Sequence, residues 1–354
     1  MKKALIAMSG GVDSSVAALL IKEQGLDATG VTMKLYDNED IGLKSNTCCS
    51  DDDIADARAV CARLSIPYYV FNFRDDFNEE VINRFITAYE NGSTPNPCID
   101  CNRYIKFERL MRRMSELGMD YVVTGHYARI EQDEDSGRYL LKKAVDDSKD
   151  QSYVLYSLTQ EQLSHTLFPL GALSKTEVRE IAEKNGFINA KKHDSQDICF
   201  VPDGKYAEFI EGYTGKRYPN GAFVDRDGNT LGEHKGIIRY TIGQRKGLGL
   251  ALPAPMYVLE KDLEKNNVIL GSNDDLFSRE LFADNVNLIS VKEINSPIKV
   301  SAKVRYNQKE QPATAEMRDG KLHVVFDEPQ RAICKGQAVV LYDGDTVVGG
   351  GTIL

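Results

Sequence analysis

The sequence predicts an α/β protein whose N-terminal parallel sheet is followed by two smaller β-rich regions. Strand-like and helix-like segments alternate from residue 1 to about 125, as in a parallel sheet with helices on both faces. Beyond about Pro202 glycines become frequent, and short segments with alternating apolar and polar residues lie between turns, which is typical of β-hairpins. From about residue 277 such segments continue at regular spacing, as in a small barrel or sandwich.

Composition allows two or three domains. The chain has 354 residues, no run of 18 apolar residues and an N-terminus that leads directly into a predicted strand. We therefore expect neither a signal peptide nor a membrane span, and a cytoplasmic protein. A net charge of −9 argues weakly against nucleic acid, although basic residues cluster locally. Seven cysteines, with neighbours Cys48 and Cys49 and a Cys98-x-x-Cys101 pair, favour metal or catalytic use over a disulfide framework.

The stretch Ser9–Ser14, SGGVDS, is the strongest local signal. It lies between an apolar strand over residues 4–8 and a helix that starts at Ser15 and ends near Gly25. Strand, glycine turn and helix together aim backbone N–H groups at an anion, and the two glycines allow close approach. Asp13 is expected to hold Mg²⁺ or to order the loop. No lysine follows in the loop, so it is not a P-loop of the GxxxxGK[ST] type.

The remaining N-terminal elements follow in order. A polar loop is expected over residues 36–47, and Ser50 is a candidate N-cap for the helix that follows. Cys61 lies on the apolar face of this helix and is most simply a core residue. Gly125 and His126 follow a predicted strand, at the carboxyl edge of the sheet where ligands bind. The further predicted elements are strands at 29–35, 67–73, 121–124 and 138–143, helices at 54–64, 76–89, 102–117 and 175–185, and later strands at 222–224, 237–241, 256–260, 267–270, 298–305, 313–317, 322–326 and 338–342.

Three cysteines are candidates for chemistry. Cys98 and Cys101 lie between a proline-stiffened loop and a basic helix, where the helix dipole and nearby Arg103 and Lys106 favour thiolate. Cys199 follows the polar residues Asp194–Asp197, which a protein core would not favour. A buried structural thiol is the alternative for Cys199.

An ordered set of motifs resembles the tRNA-specific 2-thiouridylase (MnmA/TrmU) family, within the ATP pyrophosphatase superfamily. The motifs are AMSGGVDS from Ala7, TPNP from Thr94 with Cys101-Asn102, TGHY from Thr124, KDQSY from Lys149, DSQDICF from Asp194 and YTIGQR from Tyr240. The resemblance spans nearly the whole chain. It implies an adenylating PP-loop, HUP-like domain over residues 1–205, a small central tRNA-binding domain over 206–275 and a C-terminal β-barrel over 276–354.

The resemblance also implies roles for individual residues. Cys199 would carry a persulfide received from a sulfur-relay protein, and Cys101 would be its partner. ATP would be bound by Ala7, Met8, Ser9, Gly10, Gly11, Val12, Asp13, Ser14, Met33 and Gly125. The tRNA, through its anticodon arm and wobble uridine, would be contacted by Asn96, Pro97, Cys98, His126, Lys149, Asp150, Gln151, Arg305, Tyr306 and Gln337. His126 has an equally simple alternative role in a loop hydrogen bond.

Cys98 departs from better-known members, which have Asp at this position. A thiol is a poorer general acid at neutral pH than a tuned carboxyl group. Two arrangements of the thiols stay open: Cys199 carries a persulfide that Cys101 resolves as a disulfide, or Cys98, Cys101 and Cys199 ligate a [4Fe–4S] cluster. The expected cofactors are ATP and Mg²⁺, and the protein is expected to be a monomer. Rival functions are another adenylating enzyme, such as an amide-forming synthetase, and a non-catalytic RNA-binding iron–sulfur protein.

Overall fold

The structure is a computed structural model that describes residues 1–37, 51–192, 198–201 and 204–354. Most of the predicted 36–47 loop, the Ser50 cap, Cys48 and Cys49, and the polar residues Asp194–Asp197 lie outside the described residues. The strands, in chain order, are β1 Lys3–Ala7, β2 Asp27–Lys34, β3 Tyr68–Asn72, β4 Tyr121–Val123, β5 Ala128–Gln132, β6 Tyr139–Lys143, β7 Thr166–Leu167, β8 Gly221–Val224, β9 Thr230–His234, β10 Tyr257–Asp262, β11 Asn267–Gly271, β12 Phe277–Leu288, β13 Ile298–Lys303, β14 Gln311–Arg318, β15 Lys321–Arg331, β16 Ala338–Asp343 and β17 Thr346–Ile353.

The helices alternate with the N-terminal strands, as the sequence predicts. They are α1 Val12–Glu23, α2 Asp51–Arg63, α3 Arg74–Phe77, α4 Asn83–Glu90, α5 Pro97–Asp100, α6 Leu110–Glu116, α7 Ser152–Leu155, α8 Gln160–Ser164, α9 Lys175–Lys184 and α10 Tyr206–Thr214. Two of the predicted helices contain wider π-helical segments, at Asn78–Ile82 between α3 and α4 and at Cys101–Arg109 between α5 and α6. Within the described residues, no helix is long and apolar enough to cross a membrane.

The N-terminal sheet is parallel, and its strand order places a ligand-binding edge at its centre. Among the described residues the order is β3-β2-β1-β4-β7. Strands β2 and β3 therefore extend the sheet on one side of β1, and β4 and β7 extend it on the other side. In such sheets ligands bind beyond the carboxyl ends of the strands at this switch point. The loops that follow β1 and β4 begin with Met8 and Thr124, so SGGVDS and Gly125 belong to the same edge.

The central module is a small sheet in the order β10-β11-β8-β9. The strand predicted at 237–241 is wrong, because Ile237–Arg239 forms a 3₁₀ turn after Gly236, whose φ is +103°. Ile237 and Ile238 are both buried, whereas a half-buried strand would place its successive side chains on opposite faces.

The C-terminal region is a closed antiparallel barrel, since β12 pairs with both β15 and β17. Hairpin β5–β6, from the N-terminal part of the chain, adds to the barrel sheet where Lys142 pairs with Thr346 of β17. The fold class predicted from the sequence is therefore confirmed. Five of the described strands were not predicted: β5, β7, β9, β12 and β17.

Buried contacts join the three regions. Tyr89 of α4 stacks on Tyr206 of α10, with ring centroids 4.6 Å apart. Thr94 N donates to the carbonyl oxygen of Lys335 at 2.8 Å, so a barrel loop lies against the loop before α5. Cys61 is fully buried in the core between α1, α2 and the sheet, as predicted.

Candidate active site

The SGGVDS loop is held in shape by its own serines. Ser14 Oγ donates to the Gly11 carbonyl at 3.0 Å and accepts from Ser9 N at 3.2 Å. Gly11 is the N-cap of α1 and has no side chain with which to cap the first-turn amides. These amides and the positive end of the α1 dipole therefore form the start of an anion site. The Ser14 side chain is buried and shapes this loop.

Gly10 and Gly125 lie so close to other backbone atoms that neither position has room for a side chain. Gly10 has φ +75°, and a Cβ there would lie 2.5 Å from the carbonyl oxygen of Asp53 in the first turn of α2. A Cβ on Gly125 would lie 2.8 Å from both Asp13 C and Ser14 N. The loop after β4 thus rests directly on the loop after β1. Met33 is near the carboxyl end of the neighbouring β2, so the predicted ATP-binding residues gather at one edge of the sheet.

The Asp13 carboxylate is held by residues outside the loop. It accepts from Lys175 Nζ at 2.8 and 2.9 Å, and from the Tyr127 hydroxyl at 2.8 Å. The expectation that Asp13 orders the loop agrees with these contacts. A loop that offers amides and has a neighbouring carboxylate and ammonium group fits a phosphate with its metal ion.

Sequence reasoning missed several residues that support the loop. Lys175 and Tyr127 hold Asp13, while Asn189 Nδ2 donates to the Gly10 carbonyl at 2.8 Å and to Ser15 Oγ at 2.9 Å. Tyr127 stood in the TGHY motif without a role. The sequence did contain one indication for Lys175. A cation in the first turn of a helix is unfavourable with respect to the helix dipole, so a partner outside the helix could have been expected.

His126 points into the protein interior in this conformation. It is 8% exposed, Thr124 Oγ1 lies 2.5 Å from its Nδ1, and its ring lies against Phe107 and Phe168. Burial lowers the pKa of His126 well below its usual value, and the charge of Lys106 lowers it further. A neutral imidazole in a loop hydrogen bond matches these contacts, and contact with tRNA stays a prediction.

Four of the ten predicted tRNA-facing residues lie in α5 or against the loop before it. Asn96 is the N-cap of α5 and accepts from Cys98 N at 3.1 Å, which leaves Cys98 exposed at the first turn. Gln337 Nε2 donates to the Thr94 carbonyl at 2.7 Å. Pro97 is buried at the first position of this helix.

Tyr306 joins this group to the segment around Asp150. Its hydroxyl donates to the Asp150 carbonyl at 3.2 Å. Although the residue is 37% exposed, burial of its hydroxyl raises the pKa, and the charges of Asp150 and Cys98 add to the shift. Asp150 and Tyr306 are therefore neighbours. Lys149, which precedes Asp150, is half-buried.

The segment that contains Asp150 also contacts the loop after β4. Gln151 Oε1 accepts from Tyr127 N, and Gln151 N donates to the Tyr127 carbonyl, both at 2.9 Å. The Asp150 carboxylate accepts from Ala144 N at 3.1 Å and from Ser152 Oγ at 2.7 Å. Asp150 and Gln151 thus order the backbone beside Tyr127, whose hydroxyl donates to Asp13 of the SGGVDS loop.

Cys101 and Cys199 border the same hydrophobic core, and both are partly exposed. The Cys199 carbonyl accepts from the Tyr36 hydroxyl at 2.8 Å, and Phe200 packs edge-on against Phe77 and Phe85. These contacts hold the backbone at Cys199 and at the residue that follows it. Within the part of the chain that the structure describes, no group of three or more His, Cys, Asp or Glu side chains is placed to hold a metal ion.

The basic clusters differ in how they are paired. Arg109 contacts Asp76 at 2.6 Å, and Arg112 and Arg113 both contact Glu116. By contrast, Arg245 and Lys246 are exposed and form no ion pair with a described residue. They line a cleft of about 860 Å³ formed by α10, the central module and Arg305 of the barrel region. Lys205 and Lys235 also line it, whereas Arg239 is ion-paired there with Glu208 and Glu211, both at 2.7 Å.

The three-part fold and the loops at the carboxyl edge of the N-terminal sheet define the class of protein. The protein is a three-part α/β protein of the PP-loop, HUP type, with a central barrel module and a C-terminal β-barrel. Residues 2–203 match the family described as tRNA methyl transferase HUP domain, residues 207–272 the tRNA methyl transferase PRC-barrel domain, and residues 278–353 the Aminomethyltransferase beta-barrel domain.

Relatives identify the family within this class. The chain is 54% identical over 353 residues to the tRNA-specific 2-thiouridylase MnmA of Clostridioides difficile, covering 99% of this chain and 98% of that protein. It is 52% identical to proteins of the same name from Acetivibrio thermocellus, covering 99% of each chain, and Lachnoclostridium phytofermentans, covering 100% of each. The chain belongs to the tRNA-specific 2-thiouridylase family.

Proposed function

We propose that this protein is an ATP-dependent tRNA sulfurtransferase that converts the wobble uridine of the anticodon to 2-thiouridine. The observation that carries the proposal is the full-length relationship to proteins named tRNA-specific 2-thiouridylase, at 50% identity and above. The phosphate loop and the basic cleft support it, because the reaction needs ATP and an RNA substrate.

Adenylation is the first step. A uridine 2-carbonyl is unreactive, so its oxygen attacks the α-phosphorus of ATP, the bond between the α-phosphorus and the bridging oxygen breaks, and pyrophosphate leaves. The α1 amides stabilise the negative charge that develops on the phosphates. Mg²⁺, when bound, supplies further neutralisation, and Asp13 is the carboxylate that would hold it.

Sulfur transfer is the second step. The terminal sulfur of a persulfide on Cys199 attacks carbon 2 of the uridine, and the bond from carbon 2 to the adenylated oxygen breaks, which releases AMP. The Cys101 thiolate then attacks Cys199 Sγ, so that 2-thiouridine leaves and a Cys101–Cys199 disulfide forms. A thiol reductant regenerates both cysteines, and a persulfide donor protein reloads Cys199.

Cys98 faces the target base in this proposal, next to Asn96 and Pro97. Its exposure at the first turn of α5 supports that position. The proposed tRNA contacts are His126, Lys149–Gln151, Arg305, Tyr306 and Gln337. The protein acts as a monomer in the cytoplasm, where tRNA and a sulfur-relay protein meet.

The test is mass analysis of nucleosides from tRNA incubated with the protein, ATP and a persulfide source, with AMP and pyrophosphate measured in parallel. Parent protein should form 2-thiouridine. Cys199→Ser should still release pyrophosphate but form no 2-thiouridine, because activation of the carbonyl needs no thiol. Ser14→Ala should lose pyrophosphate release, because its hydroxyl shapes the phosphate loop.

Three results would contradict this proposal. Pyrophosphate release that requires a small molecule and not RNA would indicate another adenylating enzyme. Sulfur transfer by Cys199→Ser would remove the persulfide route. Anaerobic protein that contains stoichiometric iron, lost with activity in Cys98→Ala, would replace the persulfide with a [4Fe–4S] cluster held by Cys98, Cys101 and Cys199.

A further inference from the structure

Strand β3 is an unprotected edge of the N-terminal sheet. Among the described residues it pairs only with β2, and its register with β2 is continuous, without a bulge. Its sequence, YYVFN, contains no charged residue and no proline, and Tyr69 and Val70 are 56% and 40% exposed. Edge strands of soluble proteins usually carry a lysine, a proline or a bulge that prevents another strand from pairing with them. Strand β3 has none of these and is therefore open to the addition of a strand.

The backbone groups on the outer side of β3 are available for pairing. The Phe73 N–H faces β2, because it donates to the Lys34 carbonyl at 2.9 Å. Successive residues of a strand direct their backbone groups to alternate sides, so those of Val70 and Asn72 face away from β2. Within the described part of the chain, no backbone hydrogen bond uses the N–H or C=O of these two residues. Each of them offers a donor and an acceptor to an added strand.

The chain beyond the carboxyl end of β3 contacts the segment that contains Cys199. Helix α3 begins two residues after β3, and its Phe77 packs edge-on against Phe200, with ring centroids 5.7 Å apart. The hydroxyl of Tyr36, which follows the neighbouring strand β2, donates to the Cys199 carbonyl at 2.8 Å. Cys199 itself is partly exposed. A strand added along β3 therefore has one end on the side of the protein where Cys199 lies.

We propose that the β3 edge is the docking site for the persulfide donor protein, which adds an extended strand beside β3 and so presents its persulfide to Cys199. The inference rests on the proposed function, which requires such a donor. Main-chain hydrogen bonds to an exposed sheet edge give affinity for an extended segment. Arg58 is exposed beside this strand, with its guanidinium 5.9 Å from the centre of the Tyr68 ring, and it forms no ion pair with a described residue. An acidic side chain in the donor strand is therefore favoured.

The transfer step exchanges one S–S bond for another. The Cys199 thiolate attacks the terminal sulfur of the donor persulfide, the S–S bond within the donor breaks, and the donor cysteine leaves as a thiolate. Cys199 then carries the persulfide, and neither an oxidant nor a reductant is consumed. Because the two sulfurs have to touch, the donor must be held against this part of the protein.

The position of the edge also leaves room for tRNA. His126 and the segment Lys149–Gln151 follow β4, and strands β2 and β1 separate β4 from β3. A protein at the outer edge of β3 therefore leaves this part of the predicted tRNA surface uncovered.

The experiment compares a protein donor with a small donor. The protein donor is a cysteine desulfurase from the same cells, loaded with L-cysteine and supplied with the relay proteins that it charges, and the small donor is glutathione persulfide. Mass spectrometry of the alkylated protein measures the rate at which Cys199 gains a sulfur, with Cys199→Ser as the blank. The parent should be loaded faster by the protein donor than by glutathione persulfide at equal concentration.

Val70→Lys should slow loading by the protein donor by about tenfold, the effect of losing one interface hot spot, and leave loading by glutathione persulfide unchanged. Val70→Pro, which removes an outward N–H, should have the same effect. Val325→Lys is the matched control, because Val325 is 37% exposed on β15, a barrel strand that is paired on both sides. Both donors should load this control at the parent's rate.

Equal loading of Val70→Lys and the parent by the protein donor would overturn the inference, as would a parent that shows no preference for that donor. Equal slowing with both donors would also overturn it, because the substitution would then disturb Cys199 itself. A parent that sediments as a dimer, with Val70→Lys as a monomer, would assign the edge to a second copy of this chain instead. Failure of the proposed function is a separate result: parent protein loaded by glutathione persulfide would then form no 2-thiouridine on tRNA with ATP.

Discussion

Replacing Gly125 by alanine would test whether contact between two loops sets the geometry of the candidate site. An added Cβ would lie 2.8 Å from Asp13 C and from Ser14 N, and 3.1 Å from Asp13 Cβ. Two of these three atoms belong to backbone and cannot rotate away. The φ angle of Gly125 lies outside the left-handed region, so the substitution adds a steric clash without backbone strain.

The clash must be relieved by moving the SGGVDS loop or the loop after β4 by roughly half an ångström. Overpacking of this kind costs typically about 1–3 kcal/mol of stability. Displacement on this scale at reacting groups slows catalysis strongly, so we expect pyrophosphate release to fall by about ten- to a hundredfold. The urea midpoint of the variant should fall as well.

Gly212→Ala is the matched control. Gly212 is exposed in α10, has nothing within 4 Å of the position that a Cβ would occupy and has no positive φ. Alanine there should leave pyrophosphate release unchanged and stabilise the helix by about 0.5–1 kcal/mol. A Gly125→Ala protein with the parent's midpoint and rate would show that the two loops do not need this close approach.

Two other predictions concern charge. Burial lowers the pKa of Lys261 to about 8, and its Nζ has no hydrogen-bond partner among the described residues, so the parent should lose stability as the pH falls from above 10.5 through 8. The free energy of unfolding of Lys261→Met should therefore exceed that of the parent by about 3 kcal/mol at pH 7, measured by urea unfolding. An advantage that does not shrink by pH 10 would contradict this reasoning. Arg245→Ala should reduce the slope of log tRNA affinity against log salt by about 0.7–0.9, the effect of one phosphate contact. Arg112→Ala should leave the slope unchanged, because the Arg112 guanidinium contacts Glu116. Equal slopes in the parent and both variants would show that Arg245 is a solvated residue that makes no phosphate contact.

The parallel sheet could be predicted because its signals are local. Each apolar strand is short, and turn residues or helix caps mark where it ends, as at Gly25 before β2. The loop after β1 was recognised from six adjacent residues, and its position at the sheet edge follows from the order of strands and helices alone.

Contacts across long sequence separations could not be predicted. Lys175 lies 162 residues from Asp13, and neither residue carries a periodic pattern that pairs them. Hairpin β5–β6 joins the barrel through Thr346, more than two hundred residues away. Its sequence is equally compatible with a surface hairpin of the N-terminal domain. Only the folded structure shows that β6 pairs with β17 of the barrel.

The wrong strand at 237–241 has a different origin. Alternation of apolar and polar residues was inferred from Ile237 to Thr241, but glycines on both sides, Gly236 and Gly243, have positive φ and turn the chain. The backbone conformation at these glycines outweighs the β propensity of the two isoleucines.

The structure connects the two predicted substrate regions through consecutive contacts. At the basic cleft, Arg305 donates to the Ala332 carbonyl at 2.6 Å, and the next residue, Tyr306, donates to the Asp150 carbonyl. Gln151 then makes two hydrogen bonds to Tyr127, whose hydroxyl donates to Asp13.

Main-chain atoms take part in several of these contacts, so each link depends on where the backbone lies as well as on the side chain that reaches it. Substituting one side chain along this route would therefore weaken one link and leave its neighbours in place, whereas Gly125→Ala moves backbone that the loops share. This difference is the reason to expect a larger effect from a single methyl group at Gly125 than from the loss of the Tyr306 hydroxyl.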